Sequence, residues 1–187
     1  MERRELLKMI AALTGGVIIG GELLTSCKSG PMVGGPKFGE ADTAFLDEVA
    51  ETILPATKTP GAKAAKVGEF MVVMVNDCYE DKDQVIFHAG IGKLEEACKK
   101  ANGKSFLDAT PEQRTTLLTA LDKEAKDYQK SKKPEDPAHY FTMMKQLTLF
   151  GFFTSKPGAT EALRYIAVPG KYDGAYPYKK GDKAWAT

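Results

Sequence analysis

The chain has 187 residues, 43% of them hydrophobic and 27% charged, a composition typical of one globular domain with a targeting segment. Its 26 Lys and Arg residues nearly balance 25 Asp and Glu residues, so the basic footprint of a nucleic-acid-binding protein is missing and that class is excluded. No apolar run reaches the roughly 18–20 uninterrupted residues that a membrane-spanning helix needs.

The first 26 residues have the features of an export signal. Arg3 and Arg4 precede two leucines and Lys8, which resembles the twin-arginine consensus. The apolar stretch that follows is broken by four glycines, each of which lowers helix propensity by about 1 kcal/mol relative to alanine. Residues 1–26 are therefore predicted to be a signal peptide that exports a folded protein from a bacterial cytoplasm.

The signal ends in Leu24-Thr25-Ser26-Cys27, which resembles the lipobox of bacterial lipoproteins. In such proteins the cysteine is acylated and becomes the mature N-terminus, and several acyl chains give durable anchoring. An ordinary cleaved signal with an incidental cysteine, or an uncleaved anchor, is the alternative. Residues 27–41, rich in Gly and Pro, are predicted to be a flexible tether. The expected location is the periplasmic side of the cell envelope, with Cys27 lipid-anchored to a membrane.

Residues 42–187 are predicted to form an all-α domain, an irregular helical bundle of about five to six helices with a C-terminal tail rich in Gly, Pro and aromatic residues. Apolar residues recur there at helical spacing, and no series of strands is visible. Val72–Val73 leave a strand open as an alternative for the second segment. The predicted helices cover residues 44–54, 63–78, 82–101, 111–128, 138–150 and 160–166.

Several helix ends are marked by capping residues. Asp42 and Thr43 are predicted caps of the first helix. Thr110 with Gln113 three residues later forms a capping box at the start of the fourth. Gly103 is predicted to stop the third helix, because glycine tolerates the left-handed backbone that ends many helices.

The domain shows no catalytic or metal-binding constellation. His88 and His139 are the two histidines, they are far apart in sequence, and a zinc site needs three or four ligands. Nucleophile elbows, phosphate loops and dinucleotide fingerprints are missing. Carboxylates such as Glu95 and Asp122 are interpreted as parts of solvated helix faces. No cofactor or metal is therefore predicted to bind to this chain.

Two cysteines remain after Cys27. Cys78 and Cys98 fall near the ends of neighbouring predicted helices, and in an oxidising envelope they could pair as a disulfide. Both also lie on apolar faces, where a free cysteine packs well. Folding before export, in a reducing compartment, favours separate thiols over the disulfide.

Aromatic residues are concentrated in the C-terminal part of the chain. They either complete the bundle's own core or form a partner surface, where aromatic side chains are enriched. The candidate partner interface comprises Phe150, Phe152, Phe153, Pro169, Tyr172, Tyr176 and Tyr178.

The domain also carries an ordered series of short motifs. These are Ile53-Leu54-Pro55, Thr59-Pro60-Gly61-Ala62 with Val67, Phe141 to Leu149, Gly151-Phe152-Phe153-Thr154-Ser155 with Gly158, and Pro169-Gly170-x-Tyr172-x-Gly174. In order and spacing they resemble the small subunit (subunit 3, or gamma) of membrane-associated gluconate 2-dehydrogenase and related flavin-dependent sugar dehydrogenases. The resemblance covers residues 42–178.

This resemblance implies a non-catalytic accessory subunit that supports the export, stability and membrane tethering of a catalytic partner. The partner would be a large flavoprotein of the glucose–methanol–choline oxidoreductase type, which binds FAD and crosses the membrane as a passenger. A cytochrome c subunit is a further partner in such complexes. The lipobox departs from many relatives, and it makes the lipid rather than a cytochrome the candidate anchor.

The alternative function is a stand-alone envelope lipoprotein that binds or acts on a sugar-like ligand. In that hypothesis Trp185, the tail tyrosines and His139 would line a pocket.

Overall fold

The computed structural model describes residues 38–168 and 170–186. Within these ranges the chain forms five α-helices, one π-helical turn and one pair of two-residue strands, which confirms the all-α prediction. None of the described helices is long and apolar enough to cross a bilayer. The elements are α1 (Glu40–Ile53), α2 (Val67–Cys78), α3 (Asp81–Asn102), α4 (Pro111–Ser131), α5 (Tyr140–Thr154), the π-helical turn (Gly158–Ala162), β1 (Arg164–Tyr165) and β2 (Trp185–Ala186).

Some of the residues singled out in the sequence lie outside the described ranges. These are Arg3 and Arg4 of the signal peptide, Cys27 and most of the tether, and Pro169 of the candidate partner interface.

The structure corrects three details of the predicted elements. The Val72–Val73 pair lies inside α2, so the strand alternative is wrong. α5 continues to Thr154 instead of ending at Phe150, because its apolar periodicity runs on through the phenylalanines. The predicted helix over residues 160–166 is wrong: a π-helical turn ends at Ala162, and β1 then pairs in parallel with β2.

The predicted helix ends agree more closely. Thr110 Oγ1 accepts a hydrogen bond from the Gln113 N–H at 3.3 Å, and Gln113 Oε1 accepts one from the Thr110 N–H at 3.0 Å, which confirms the capping box. Gly103 ends α3 with φ +67°. The caps predicted for the first helix are wrong, because α1 begins at Glu40 after Gly39 and so contains Asp42 and Thr43. Asp42 still stabilises the start of α1 from its third position, where its carboxylate accepts the Gly39 N–H at 2.9 Å.

A single apolar core lies between the helices, and α5 contacts each of the other four α-helices. Four fully buried aromatic rings occupy this core: Phe45, Phe87, Phe106 and Phe141. Leu46, Met71, Ile91, Leu94 and Met144 fill the space around them. The candidate site is built on α5, the helix with the most extensive contacts to the rest of the bundle.

α3 and α5 cross at close range because Gly90 carries no side chain. A Cβ atom at Gly90 would lie 2.5 Å from Tyr140 Cβ, too close for two real carbon atoms. The buried Tyr140 ring occupies that space, and burial raises the pKa of its hydroxyl to about 12. The glycine thus sets the distance between the two helices.

Two carboxylates interpreted as solvated are structural instead. Glu95 is buried, and its Oε2 accepts the Phe106 N–H at 3.0 Å, which fixes the loop between α3 and α4. Asp122 of α4 is half-buried between Lys126 on its own helix and Lys145 of α5, each 2.6 Å away. Both corrections have the same cause, since one partner in each case, the Phe106 N–H or Lys145, comes from a segment that sequence spacing does not bring close.

The two cysteines are free thiols at opposite ends of α3. Cys78 is exposed just before the helix, and Cys98 is buried one turn before its end. At 1.5 Å per residue, roughly 25 Å of helix separates these ends, whereas a disulfide requires Cα atoms within about 7 Å. The two thiols are therefore separate in the structure. The prediction that both pack on apolar faces is wrong for Cys78, whose side chain is exposed, and holds for Cys98.

Candidate partner interface

The outer side of α5 presents an apolar stripe to solvent. Leu149 (38% exposed), Phe150 (51%) and Phe153 (39%) recur at i, i+1 and i+4, which places them on one side of the helix. On α2, Phe70 stacks edge-on against Phe150, with ring centroids 5.5 Å apart, and one turn along the same helix Val73 is 55% exposed. Phe70 and Phe150 thus join the two helices, and these five residues of α2 and α5 are here called the aromatic face.

The opposite side of α5 belongs to the core. Phe152 is only 5% exposed, so it is a core residue and its assignment to a partner surface is wrong. Gly151 allows Phe70 to approach closely, since a Cβ there would lie 2.6 Å from the Phe70 ring. Phe150 and Phe153 remain as the accessible members of the predicted set on this helix.

The aromatic face has the properties of a docking surface. Soluble monomeric proteins rarely expose contiguous large apolar side chains, and such patches mark interaction sites. Aromatic side chains contribute much contact area with few rotatable bonds. α5 is held from several sides by other helices, so the face is rigid before any partner binds.

Sequence reasoning identified Phe150 and Phe153 but missed Phe70, Val73 and Leu149. A signal was available in α5, whose apolar residues extend around nearly its whole circumference. Such a helix is either fully buried or docks a second surface with its outer side. The contribution of α2 depends on tertiary contact and could not be read from spacing.

A second ordered feature is the loop between α1 and α2, residues 54–66, here called the Pro–Gly loop. Both oxygens of Glu51 accept backbone N–H groups of this loop, from Ala56 and from Lys63, each at 2.9 Å. Gly61 is required beneath them, because a Cβ there would collide with the Glu51 carboxylate and lie 2.6 Å from the Ala56 nitrogen. One α1 carboxylate thus shapes the loop that carries the Thr59-Pro60-Gly61-Ala62 motif.

Two further α1 carboxylates complete this anchor. Asp47 Oδ1 accepts the Gly68 N–H at 2.8 Å and so caps the start of α2. Burial raises the pKa of Asp47, with the Gly68 hydrogen bond acting in the opposite direction. Glu48 forms ion pairs with Lys63 and Arg114, and its hydrogen bond to Lys63 is the main cause that lowers its pKa.

Arg114 links this anchor to α4 and the preceding turn. Its Nε donates to the Phe106 carbonyl at 2.9 Å, one terminal nitrogen donates to the Leu107 carbonyl at 2.6 Å, and the other pairs with Glu48. The guanidinium also lies 5.4 Å above the Phe106 ring centre. Arg114 therefore joins α4 and the turn just before it to α1, whose Glu48 is 66 residues away in sequence.

An open depression of about 460 Å³ lies beside the Pro–Gly loop, lined by Glu48, Glu51, Ala56, Pro60, Gly61, Lys63 and Ala64. Its two carboxylates already accept hydrogen bonds from the loop or pair with Lys63 and Arg114. The arrangement is therefore a structural anchor that positions the loop.

The C-terminal tail is fastened at both ends. The Arg164 N–H donates to the Ala184 carbonyl at 2.8 Å, and β1 and β2 pair in register. The Arg164 guanidinium lies 4.1 Å from the Trp185 ring centre and 5.6 Å from that of Tyr176, whose rings meet edge-on. We call Arg164, Tyr176 and Trp185 the tail clasp.

The remaining tail residues of the candidate interface project from this clasp. Tyr172 is 96% exposed and Tyr178 is 75% exposed, whereas Tyr176 at 51% contributes part of its surface to the clasp. Sequence reasoning placed these tyrosines on irregular backbone, as observed, but missed Arg164 as the residue around which the tail closes.

The pocket of the alternative hypothesis is not assembled. His139 caps the start of α5, where its Nδ1 accepts the Phe141 N–H at 3.2 Å and its ring stacks on Tyr140. Trp185 stacks instead on Arg164 and meets Tyr176 edge-on. The ring partners of His139 are Tyr128 and Tyr140, so His139 and Trp185 do not line a common site through their aromatic contacts.

Metal ligands are also not assembled in the part of the chain that the structure describes. His88 stacks on Phe38, with ring centroids 4.1 Å apart, rather than facing other ligating groups. Over residues 38–168 and 170–186, no group of three or more His, Cys, Asp or Glu side chains could hold a metal ion.

Comparison with known proteins gives one family. The model of a family described as gluconate 2-dehydrogenase subunit 3 matches residues 40–170, from the start of α1 to the beginning of the tail. Comparison with curated proteins and with solved structures gives no match.

Proposed function

Because the chain belongs to the gluconate 2-dehydrogenase subunit 3 family, whose description implies a catalytic partner, we propose that it is a non-catalytic accessory subunit of a membrane-associated sugar or gluconate-type dehydrogenase. Its role is to export, stabilise and tether the catalytic subunit. That subunit is a flavoprotein of the glucose–methanol–choline oxidoreductase type, and it binds the FAD of the complex.

The aromatic face is the observation that carries this proposal. A subunit whose work is association needs an exposed, rigid and apolar surface, and α5 with α2 supplies one. Truncating a central aromatic residue of an interface commonly costs 2 kcal/mol or more of binding free energy. Phe150 and Phe153 are the central anchors in this proposal, with Phe70, Val73 and Leu149 around them.

Export follows from the N-terminal segment. A twin-arginine signal at Arg3 and Arg4 carries folded cargo, and a flavoprotein must take up its flavin in the cytoplasm before crossing. The chain therefore brings the loaded catalytic subunit through the membrane as a bound passenger. Acylation of Cys27 then holds the complex at the membrane on the periplasmic side, without requiring a cytochrome c subunit as the anchor.

The passenger role is tested by conservative substitution of the arginine pair. The double variant Arg3→Lys with Arg4→Lys keeps the charge of the signal but removes the paired guanidinium groups. We expect the flavoprotein to accumulate in the cytoplasm of cells that carry this variant, as measured by fractionation and flavin fluorescence. The matched control is Lys8→Arg, which should leave export unchanged. A flavoprotein that reaches the periplasm in the double variant would contradict the passenger role.

A further inference from the structure

The segment between the two short strands, residues 166–184, is here called the tail loop. Its described residues, 166–168 and 170–184, are all exposed. Three of its hydrophobic side chains are largely exposed to solvent: Val168 is 81% exposed, Tyr172 96% and Tyr178 75%. Gly170 and Gly181 have φ values of +73° and +95°, in the left-handed region that favours glycine. The three tail tyrosines lie between these two glycines.

Lysines stand directly beside these tyrosines. Lys171 precedes Tyr172, and Lys179–Lys180 follow Tyr178. None of these three lysines has an ion-pair partner among the residues that the structure describes. The tail loop contains four lysines and two aspartates, so it carries an excess of positive charge.

The two aspartates serve the backbone of the loop. Asp173 Oδ1 accepts the Ala175 N–H at 3.1 Å, and Asp182 Oδ2 accepts the Lys179 N–H at 2.9 Å. Each carboxylate is thus held at a turn rather than beside a lysine ammonium group. The side chains of Lys171, Lys179 and Lys180 remain available to an external anion, whereas Lys183 donates to the Glu161 carbonyl.

We propose that the tail loop binds the headgroup region of an anionic membrane. Tyrosine and tryptophan are favoured at the membrane–water interface, where the ring meets apolar chains and its polar end remains hydrated. Lysines near an anionic surface are attracted to lipid phosphates, and each adds about a fivefold gain in affinity. Together these residues give the loop the chemistry of an interfacial binding segment.

A protein partner fits this loop less well. Tyrosine is common at protein interfaces, but lysine is depleted from their centres because its ammonium group is costly to desolvate. Here each of the two most exposed tyrosines has a lysine next to it in the chain. In the headgroup layer of a membrane the lysine ammonium groups stay hydrated while the tyrosine rings reach the apolar chains, so this layer accommodates both residue types.

The tail clasp presents the loop in a defined position. Stacking of Arg164 on Trp185 and the strand pair fix both ends of the loop, which reduces the entropy lost on binding. The proposal rests on the proposed membrane location, but not on the lipid at Cys27. If the export test or the partner test fails, the lipid-binding experiment still shows whether the tail loop binds a membrane.

Trp185 is the only tryptophan in the chain, so its fluorescence reports on the tail alone. The test uses the predicted mature chain, residues 27–187, with Cys27→Ala, so that neither an acyl chain nor the signal peptide contributes. It is mixed with vesicles of phosphatidylglycerol and phosphatidylethanolamine, or of phosphatidylcholine, each containing brominated lipid. We expect Trp185 quenching and a blue shift with the anionic vesicles only, and both should weaken in 1 M salt. Equal responses to the two compositions would overturn the proposal.

A charge-matched pair of variants locates the effect. The triple variant Lys171→Gln, Lys179→Gln and Lys180→Gln should raise the anionic lipid needed for half-maximal quenching on the order of 100-fold. A control removes three exposed lysines elsewhere, Lys58→Gln, Lys100→Gln and Lys104→Gln, and should change it little. Equal losses in both variants would show a net-charge effect and contradict a specific loop.

The same variants separate a membrane from a protein partner. Phe150→Ser with Phe153→Ser should bind anionic vesicles as the unsubstituted chain does. If the tail triple variant instead keeps vesicle binding and loses the flavoprotein, the tail loop is a protein-docking surface and the proposal is wrong.

Discussion

Three carboxylates of α1 hold the Pro–Gly loop, and each uses a different donor. Glu51 binds loop N–H groups, Asp47 caps α2, and Glu48 pairs with Lys63 and Arg114. Hydrogen bonds to ionised groups contribute roughly 1.5–3 kcal/mol, more than neutral ones. The loop's conformation therefore depends on ionised side chains rather than on apolar contacts alone.

Glu48→Gln should destabilise the domain by about 1–2 kcal/mol, because Arg114 would lose its charged partner in a half-buried position. Urea unfolding at pH 7 measures this. Glu69→Gln is the matched control: it removes an exposed ion pair with Lys66 and should cost less than about 0.5 kcal/mol. Equal effects of the two substitutions would contradict the structural role of Glu48.

The pH dependence of the same variant has a definite sign. Lys63 and Arg114 hold the pKa of Glu48 below its usual value of 4.5, so the ionised carboxylate stabilises the folded state. That contribution is present above pH 4.5 and is lost as the pH falls through the lower folded pKa. The stability difference between the native chain and Glu48→Gln should therefore shrink in acid. A difference that is constant from pH 7 to pH 3 would contradict this account.

At the residue scale, local features could be predicted from the sequence and long-range ones could not. The Thr110–Gln113 capping box and the Gly103 stop follow from neighbouring residues, and the structure confirms both. Glu95 was misinterpreted as solvated because its partner, the Phe106 N–H, lies beyond a turn. The pairing of Glu48 with Arg114 spans 66 residues, and single-sequence spacing carries no information about it.

At the element scale, amphipathic periodicity predicts α1 to α4, and a continuous apolar segment predicts most of α5. The exceptions are informative. α5 runs past its predicted end at Phe150, since the same phenylalanine-rich segment serves both the core and the outer surface. The π-helical turn and β1 replace a predicted helix because the Arg164 backbone pairs with the tail, a contact between distant segments.

Two glycines of α3 provide a matched test of the α3–α5 crossing. Gly90→Ala places a Cβ against Tyr140 Cβ and should destabilise the domain by about 1–3 kcal/mol, because the helices must separate. Gly92→Ala, two residues along, meets nothing within 4 Å and should stabilise it by about 0.5–1 kcal/mol through helix propensity. Thermal unfolding separates them, and effects of the same sign would contradict the close crossing.

The aromatic face is also tested at this scale. Phe150→Ser with Phe153→Ser should leave the circular dichroism spectrum of the chain unchanged and reduce recovery of the catalytic subunit at least tenfold, because central anchors are lost. Val85→Ser, on α3 and 67% exposed, is the control outside the face and should have no effect. Undiminished recovery with the double variant would place the interface elsewhere.

At the scale of the whole molecule, the motif series was more informative than composition. Composition and charge exclude nucleic-acid binding, but they do not predict which class of molecule the chain binds. The ordered motifs predicted the family, and the family match over residues 40–170 confirms it. The structure adds what those motifs do: Gly61 accommodates the Glu51 carboxylate, and Gly151 accommodates Phe70 at the base of the aromatic face.

The central claim is that this chain works as the bound companion of a catalytic flavoprotein. Purification of the affinity-tagged chain from membranes of its host, followed by absorption spectroscopy and mass spectrometry, tests it most directly. We predict a larger polypeptide in a fixed ratio to the chain, with the absorption spectrum of bound flavin. Recovery of the chain alone, from membranes in which the flavoprotein is present, would contradict the account.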